Sequence, residues 1–189
     1  MTSPKMDRRK KYTIMVLKDS LMKLLKDKQI SYITVKEICS LADINRSTFY
    51  SHYTDHYDLL DTIEDEIIQD MQGYMSQYNF EKEDQALQMI EKLLEYFASK
   101  HEVCTTLLNE ITNTTFETKV INFAHQVFMT SWLADTAYDE NLSEYLSTFI
   151  ISGSIHAIKK WLNNGMDHSP REMAEIINGV INRGLLGVR

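Results

Sequence analysis

The segment ITVKEICSLADINRSTFYSHYTDHYDLL, residues 33–60, holds two helix starts only eleven residues apart. Thr34-Val35-Lys36-Glu37 has the form of a capping box. In that motif the Thr hydroxyl accepts from the amide of Glu37, and the Glu carboxylate reaches back to the amide of Thr34. Ile33 and Ile38 flank the box at the positions of a hydrophobic staple. The helix so started is expected to carry Val35, Ile38 and Leu41 inward and to end at Leu41-Ala42-Asp43-Ile44. Asn45 is a strong N-cap residue, and Ile44 and Phe49 stand at staple positions around it. A short second helix therefore runs from Arg46 to about Tyr53. Thr54-Asp55 caps a longer one, with Tyr57, Leu60, Ile63, Ile67 and Met71 on its apolar face.

Two short helices joined by a tight turn form the helix-turn-helix arrangement, whose second helix enters the major groove of DNA. At 100° per residue, Arg46, Ser47, Tyr50 and Ser51 share one side of that helix, while Phe49 and His52 lie opposite. Arg46 suits a bidentate contact to guanine O6 and N7. Ser47 suits a base edge or a phosphate, and the Tyr50 hydroxyl suits a phosphate oxygen. Thr34 and Lys36 sit at a helix start, where free amides and a cation can hold another phosphate. Phe49, Ile44, Leu41 and Tyr53 read as core. His52 and His56 flank Asp55, but a helix boundary separates them, so no metal site is expected there.

Outward from this segment, Ile14, Leu17, Leu21 and Leu24 recur at helical spacing and predict a helix from about Asp7 to Asp27. Downstream, the cap-x-x-Glu form recurs at Ser99, Thr114, Asn141 and Ser169, the last followed by Pro170 at the first helical position. Asn163-Asn164-Gly165 is a stop signal. Apolar residues at helical spacing also mark residues 79–100, through Ala86, Met89, Ile90, Leu93 and Phe97. With 6 glycines and 2 prolines in 189 residues, few loops are expected. The reading is all-α, about nine helices and no strand: an N-terminal helix-turn-helix domain, residues 1–54, and a larger helical regulatory and dimerisation domain, residues 55–189.

The net charge of -7 is unevenly spread. Residues 1–54 carry 11 Lys and Arg against 5 Asp and Glu, a balance of +6, whereas residues 55–189 carry 9 against 22, a balance of -13. A basic module on an acidic body suits a protein that meets phosphate with one part only. No apolar run follows the charged N-terminus as in a secretory signal, and none is long enough to span a membrane, so a cytoplasmic protein without membrane contact is expected. Cys39 and Cys104 read as buried free thiols. No phosphate-binding glycine loop, Gly-x-Ser-x-Gly, His-Glu-x-x-His or metal-spaced cysteine pair occurs, so neither an enzyme nor a metal or other cofactor is expected.

In residues 8–60 the sequence resembles the TetR family of transcriptional regulators. The resemblance rests on the Thr34 start, the Ala42-x-Ile44 turn, Ser47-Thr48-Phe49-Tyr50 followed by His52 and Tyr53, and Leu59-Leu60 opening the next helix. It implies that residues 46–50 read the groove and that Tyr50 holds a phosphate. Two positions depart from the family pattern: His56 stands where Lys is usual, and Tyr53 where Phe is usual. The expected DNA contacts are Thr34, Lys36, Asn45, Arg46, Ser47, Thr48, Tyr50, Ser51 and His56. The partner is double-stranded DNA, bound as a palindromic operator, and the sign of regulation is expected to be repression.

The C-terminal stretch FIISGSIHAIKKWLNNGMDHSPREMAEII is similar to the region through which one large subgroup of that family dimerises. Two-fold pairing also has a physical reason, because paired half-sites need two recognition helices one helical turn apart. The expected homodimer interface comprises Ile150, Gly153, Ile158, Trp161, Ile176, Ile177, Val180 and Ile181. Gly153, inside a long apolar helix, suggests close approach of another helix. The resemblance further implies an effector, a small molecule or a partner protein, acting on the C-terminal domain. Tyr78, His101, Asn109, Asn113, His125, Trp132 and Tyr145 are polar or aromatic residues available to line a pocket, and the sequence does not choose among them. The alternative reading is a helical interaction module or co-regulator controlled by a partner protein.

Overall fold

The computed structural model describes residues 4–78, 85–110, 115–132 and 140–186. All regular elements among the described residues are helical: α1 (Pro4–Leu25), a 3₁₀ turn (Ile30–Tyr32), α2 (Val35–Ala42), α3 (Arg46–Tyr50), α4 (His56–Met75), α5 (Gln85–Ser99), α6 (His101–Leu108), α7 (Thr115–Trp132), α8 (Glu140–Asn163) and α9 (Pro170–Leu186). The chain divides into two compact units, residues 1–67 with 106–116, and residues 68–105 with 117–189.

The first unit is built on α1, α2 and α3. Leu17, Leu21 and Leu25 of α1, Ile30 and Ile33 around the 3₁₀ turn, Val35, Ile38 and Cys39 of α2, Phe49 of α3, and Leu59, Leu60 and Ile63 of α4 are all buried. The capping box at α2 forms as the sequence predicts: Glu37 N donates to Thr34 Oγ1 (3.2 Å), and Thr34 N to Glu37 Oε2 (2.9 Å). α2 ends because Asp43 takes a left-handed backbone (φ 54°), after which Ile44 N donates to Cys39 O (2.9 Å). Two expected core residues are instead at the surface. Leu41 is 50% exposed and Tyr57 43% exposed. On α2 the buried stripe is Val35, Ile38 and Cys39, which a small thiol completes. Leu41 lies about 120° round the helix from the stripe's centre. Farther along the chain, Glu110 Oε2 accepts the amide of Ile30 (3.1 Å) at the 3₁₀ turn.

The second unit is centred on α5 and α9, which pack most extensively against each other. Ile90, Leu93 and Phe97 of α5, Val120 and Phe123 of α7, Ile151, Ile155 and Ile158 of α8, and Met173, Ile177 and Ile181 of α9 form its core. Arg171 reinforces it from outside, bonding Glu91 on α5 (2.8 Å) and Glu175 on its own helix (2.9 Å). α8 closes with Gly165 N donating to Leu162 O (3.0 Å) and Met166 N to Trp161 O (2.9 Å), with Gly165 at φ 73°. That is a Schellman stop, and the positive φ is what favours glycine there. α9 begins at the expected box, with Ser169 N donating to Glu172 Oε2 (2.8 Å) and Glu172 N to Ser169 Oγ (3.2 Å).

Other expected starts fare differently. Ser99 Oγ donates back to Tyr96 O (2.7 Å), so it closes α5 rather than capping α6. Asn141 lies inside α8, which already begins at Glu140. Thr114 lies outside the described residues. Both cysteines are buried and free, and loss of solvation pushes the Cys104 thiol up to about 12.

Candidate nucleic-acid interface

α3 is five residues long, and its orientation is set by its neighbours. Phe49 is fully buried and meets Tyr50 edge-on (ring centroids 5.5 Å apart) and Tyr53 at a tilt (5.8 Å). Asn45 caps the helix, its Oδ1 accepting Ser47 N (3.0 Å) and Ser47 Oγ (3.2 Å). Arg46, Ser47, Tyr50 and Ser51 are all exposed. Arg46 Nη2 donates to Tyr50 OH (3.4 Å), and its guanidinium carbon lies 5.9 Å from the Tyr50 ring centre. The same contact raises the pKa of Arg46 further. The two side chains thus hold each other while both stay exposed. Ser51 Oγ is used locally, donating to Thr48 O (2.7 Å), and Thr48 is only half-exposed.

The start of α2 is more occupied than the sequence suggests. Lys36 is exposed, but the Thr34 hydroxyl donates to Glu37 Oε2 (2.9 Å), and Lys28 Nζ binds Glu37 Oε1 (2.6 Å). The Lys28 ammonium first, and then Thr34, lower the Glu37 carboxyl pKa to about 2. A phosphate arriving here meets a carboxylate already in place, and Lys28 is a cation that the sequence reading left out. The Lys28–Glu37 pairing spans nine residues across a turn, which no helical period predicts. His56 opens α4, half-buried and stacked at a tilt on Tyr57 (4.3 Å). Tyr53 is buried, and burial raises its phenol pKa.

The second candidate surface lies on α8 and α9. α8 is apolar on two opposite sides. Ile151, Ile155, Ile158 and Leu162 face the core, whereas Tyr145 (76% exposed) and Phe149 (77% exposed) share the other side with Gly153. On α9, Ile176 and Val180 (66% exposed) stand outside while Ile177 and Ile181 are buried. Between the two helices runs an apolar groove of about 360 Å³, lined by Leu146, Phe149, Ile150, Gly153, Ser154, Ala157, Ile176, Ile177, Val180, Ile181 and Gly184. Six of the eight expected interface residues meet in it. Ile158 and Trp161 do not: both are buried inside the protomer, and Trp161 Nε1 donates to His168 O (2.8 Å). Phe149 and Tyr145, at a spacing of four with Gly153, are large exposed side chains on this side of α8. A β-carbon built at Gly153 meets nothing within 4 Å.

None of the residues offered for a pocket lines the apolar void of about 40 Å³ beneath α5, α7, α8 and α9. His101 Nε2 is taken up by Leu162 O (3.1 Å), Lys92 sits over the Tyr78 ring (5.0 Å), and Asn109 and Tyr145 are exposed. His125 is half-buried in α7. Asn113 and the Trp132 side chain lie outside the described residues. No helix among the described residues is long and apolar enough to cross a membrane.

Comparison with known proteins places the chain in a family. Residues 84–183 match the family TetR_C_8, described as a transcriptional regulator C-terminal region. Fifty residues, 26% of this chain, are 42% identical to an uncharacterized HTH-type transcriptional regulator, YxbF, of Bacillus subtilis (strain 168), and span 13% of that protein's length. Among solved structures, a TetR transcriptional regulator from Streptococcus agalactiae 2603V superposes with a TM-score of 0.74 at 21% identity, over 93% of this chain and 96% of its own. The fatty acid degradation regulator FadR from Bacillus halodurans superposes with a TM-score of 0.64 at 11% identity, over 96% of both chains. At those identities the structures speak to the fold alone. The sequence match, however, covers more than half of the residues, and the chain belongs to the TetR family of transcriptional regulators.

Proposed function

We propose that this protein is a homodimeric, sequence-specific DNA-binding repressor whose α3 helices enter successive major grooves of a palindromic operator. The observation that carries the reading is α3 itself: Arg46, Ser47, Tyr50 and Ser51 exposed on a short helix anchored by the fully buried Phe49. Arg46 reads a guanine, Ser47 a base edge or phosphate, and Tyr50 a phosphate. The unit of residues 1–67 with 106–116 supplies this reading head, and the unit of residues 68–105 with 117–189 supplies pairing and control. Repression needs only occupancy of the site, whereas activation needs a further contact with the transcription machinery.

The homodimer forms through α8 and α9, where Phe149, Ile176 and Val180 leave an apolar face on the protomer. Contiguous exposed apolar surface of this kind marks an interaction site, and the unfilled space above Gly153 gives a partner helix room to approach. An effector acting on the C-terminal region must bind two states of the dimer unequally. The void of about 40 Å³ is far below the roughly 300–1,000 Å³ of drug-sized ligand sites.

The test is selection of binding sites from a random DNA pool at near-physiological salt. A recovered palindrome supports a dimeric sequence reader. A folded, dimeric protein that recovers no motif overturns direct operator binding and leaves the co-regulator reading.

A further inference from the structure

The 3₁₀ turn between α1 and α2 is closed from outside its own stretch of chain. Ile30 opens the turn, so its amide has no acceptor within it. Gln29, at the N-cap position, supplies no side-chain bond. Ile30 is also fully buried, which denies water access to the amide. A buried amide without an acceptor is costly. Glu110 Oε2 takes it at 3.1 Å, from a residue eighty positions further on. Glu110 is itself set in place just after α6: its own amide donates to Leu107 O (3.3 Å), and Leu107 and Leu108 are buried. Residues 106–110 belong to the same compact unit as α1, α2 and α3.

The turn decides where α2 begins. Ile33 N donates to Ile30 O (3.0 Å), and Thr34, the next residue, caps α2. Ile30 and Ile33 are buried, as is Phe49 of α3, and α2 packs on both α1 and α3. A shift of the turn would therefore carry α2, and with it α3. We infer that Glu110 is a positioning residue for operator binding: its carboxylate caps the turn and so fixes the attitude in which α3 meets DNA. The inference rests on the DNA-binding reading above. A carboxylate repels phosphate, so charge alone predicts that its removal strengthens DNA binding. Loss of the cap predicts the reverse.

The experiment compares full-length wild type, Glu110→Ala and Glu110→Gln on the operator recovered by selection. Both variants remove the same charge, but the Gln side-chain oxygen still accepts an amide. In Glu110→Ala the Ile30 amide should exchange with deuterium at least about tenfold faster, read by NMR, and operator affinity should fall about tenfold with the selected motif unchanged. Glu110→Gln should stay within about threefold of wild type in both. Circular dichroism at the assay temperature shows whether each protein is folded. If Glu110→Ala is unfolded there, Glu110→Met, which keeps the side-chain volume without the carboxylate, takes its place. Unchanged Ile30 exchange in the Ala or Met protein, faster exchange with unchanged affinity, or equal losses in the Ala and Gln proteins each overturn this inference alone. A wild-type protein that selects no motif overturns the underlying reading and the inference with it.

Discussion

On α3, the large apolar side chain Phe49 is fully buried, and the polar side chains Arg46, Ser47 and Ser51 point outward with Tyr50. On α8, one apolar side is buried and a second, through Tyr145 and Phe149, is left open. Both helices have satisfied their obligations within the chain, yet they leave opposite chemistry at the surface. Hydrogen-bond donors and a cation are what base edges and phosphates need. Exposed aliphatic and aromatic carbon is what another protein surface needs. The difference is that the first surface is stable in water as it stands, whereas the second gains from being covered, by about 25 cal/mol for each Å² of apolar area removed from water.

The comparison can be broken most forcefully from inside. Phe49→Ala removes the anchor of α3 and is expected to cost about 3–5 kcal/mol of stability, read by denaturant melting. A loss below about 1 kcal/mol would mean that α3 is held by something other than its core residue. Next in size is Val180→Glu. The side chain is largely exposed in the protomer, so protomer stability should change by no more than about 0.5 kcal/mol. Dimer affinity should fall by about 2 kcal/mol or more, as at an interface hot spot. Sedimentation equilibrium distinguishes the two, and an unaltered dimer would remove this face from the interface.

On the polar side, Arg46→Ala should cost about 1–3 kcal/mol of discrimination at one base position. Tyr50→Phe should weaken all sequences alike, by about 1 kcal/mol. Competition binding with single-base operator variants tells the two patterns apart, and an unaltered base preference in Arg46→Ala would end its role as a base reader. Gly153→Ala is a sharper probe of α8. Since nothing in the protomer crowds a β-carbon there, helix propensity alone predicts a gain of about 1 kcal/mol in protomer stability. Weaker dimerisation in the same protein would show that the glycine serves the partner helix. The smallest effect concerns the α2 box. The Glu37 pKa is lowered in the fold from 4.5 to about 2. Its contribution is therefore complete above pH 4.5 and is lost as the pH falls towards 2. The melting difference between wild type and Glu37→Gln should shrink over that window, and a constant difference would count against the box.

Local signals made much of this legible in the sequence. The boxes at Thr34 and Ser169, the Asn45 cap and the Gly165 stop each involve residues within a few positions of one another, so spacing alone finds them. What failed was set by geometry at longer range. Leu41 and Tyr57 have apolar bodies, but the buried stripes pass them by, and the smaller Cys39 takes the place given to Leu41. Ser99 fits a cap pattern and spends its hydroxyl on the preceding helix instead. Glu110 reaches the amide of Ile30 from eighty residues away, which no window of sequence contains. On α8 two sides are apolar, and composition cannot say which side faces the protomer's own core. Ile158 and Trp161 therefore read like Ile150 and Gly153 until the structure separates them.

The brevity of α3 has a consequence for how such a protein diversifies. Isolated helices of five residues do not persist in water, because nucleation is costly and few bonds follow it. Here the surrounding fold supplies the order, through Asn45 at one end and Phe49 in the middle. The side-chain bonds that positions 46, 47 and 51 make are exposed and come second to that anchoring. These positions form a small alphabet that can be rewritten while the scaffold stays constant. A library randomised at those three positions, with Asn45, Phe49 and Tyr53 kept, should consist mostly of folded proteins with altered operator preferences.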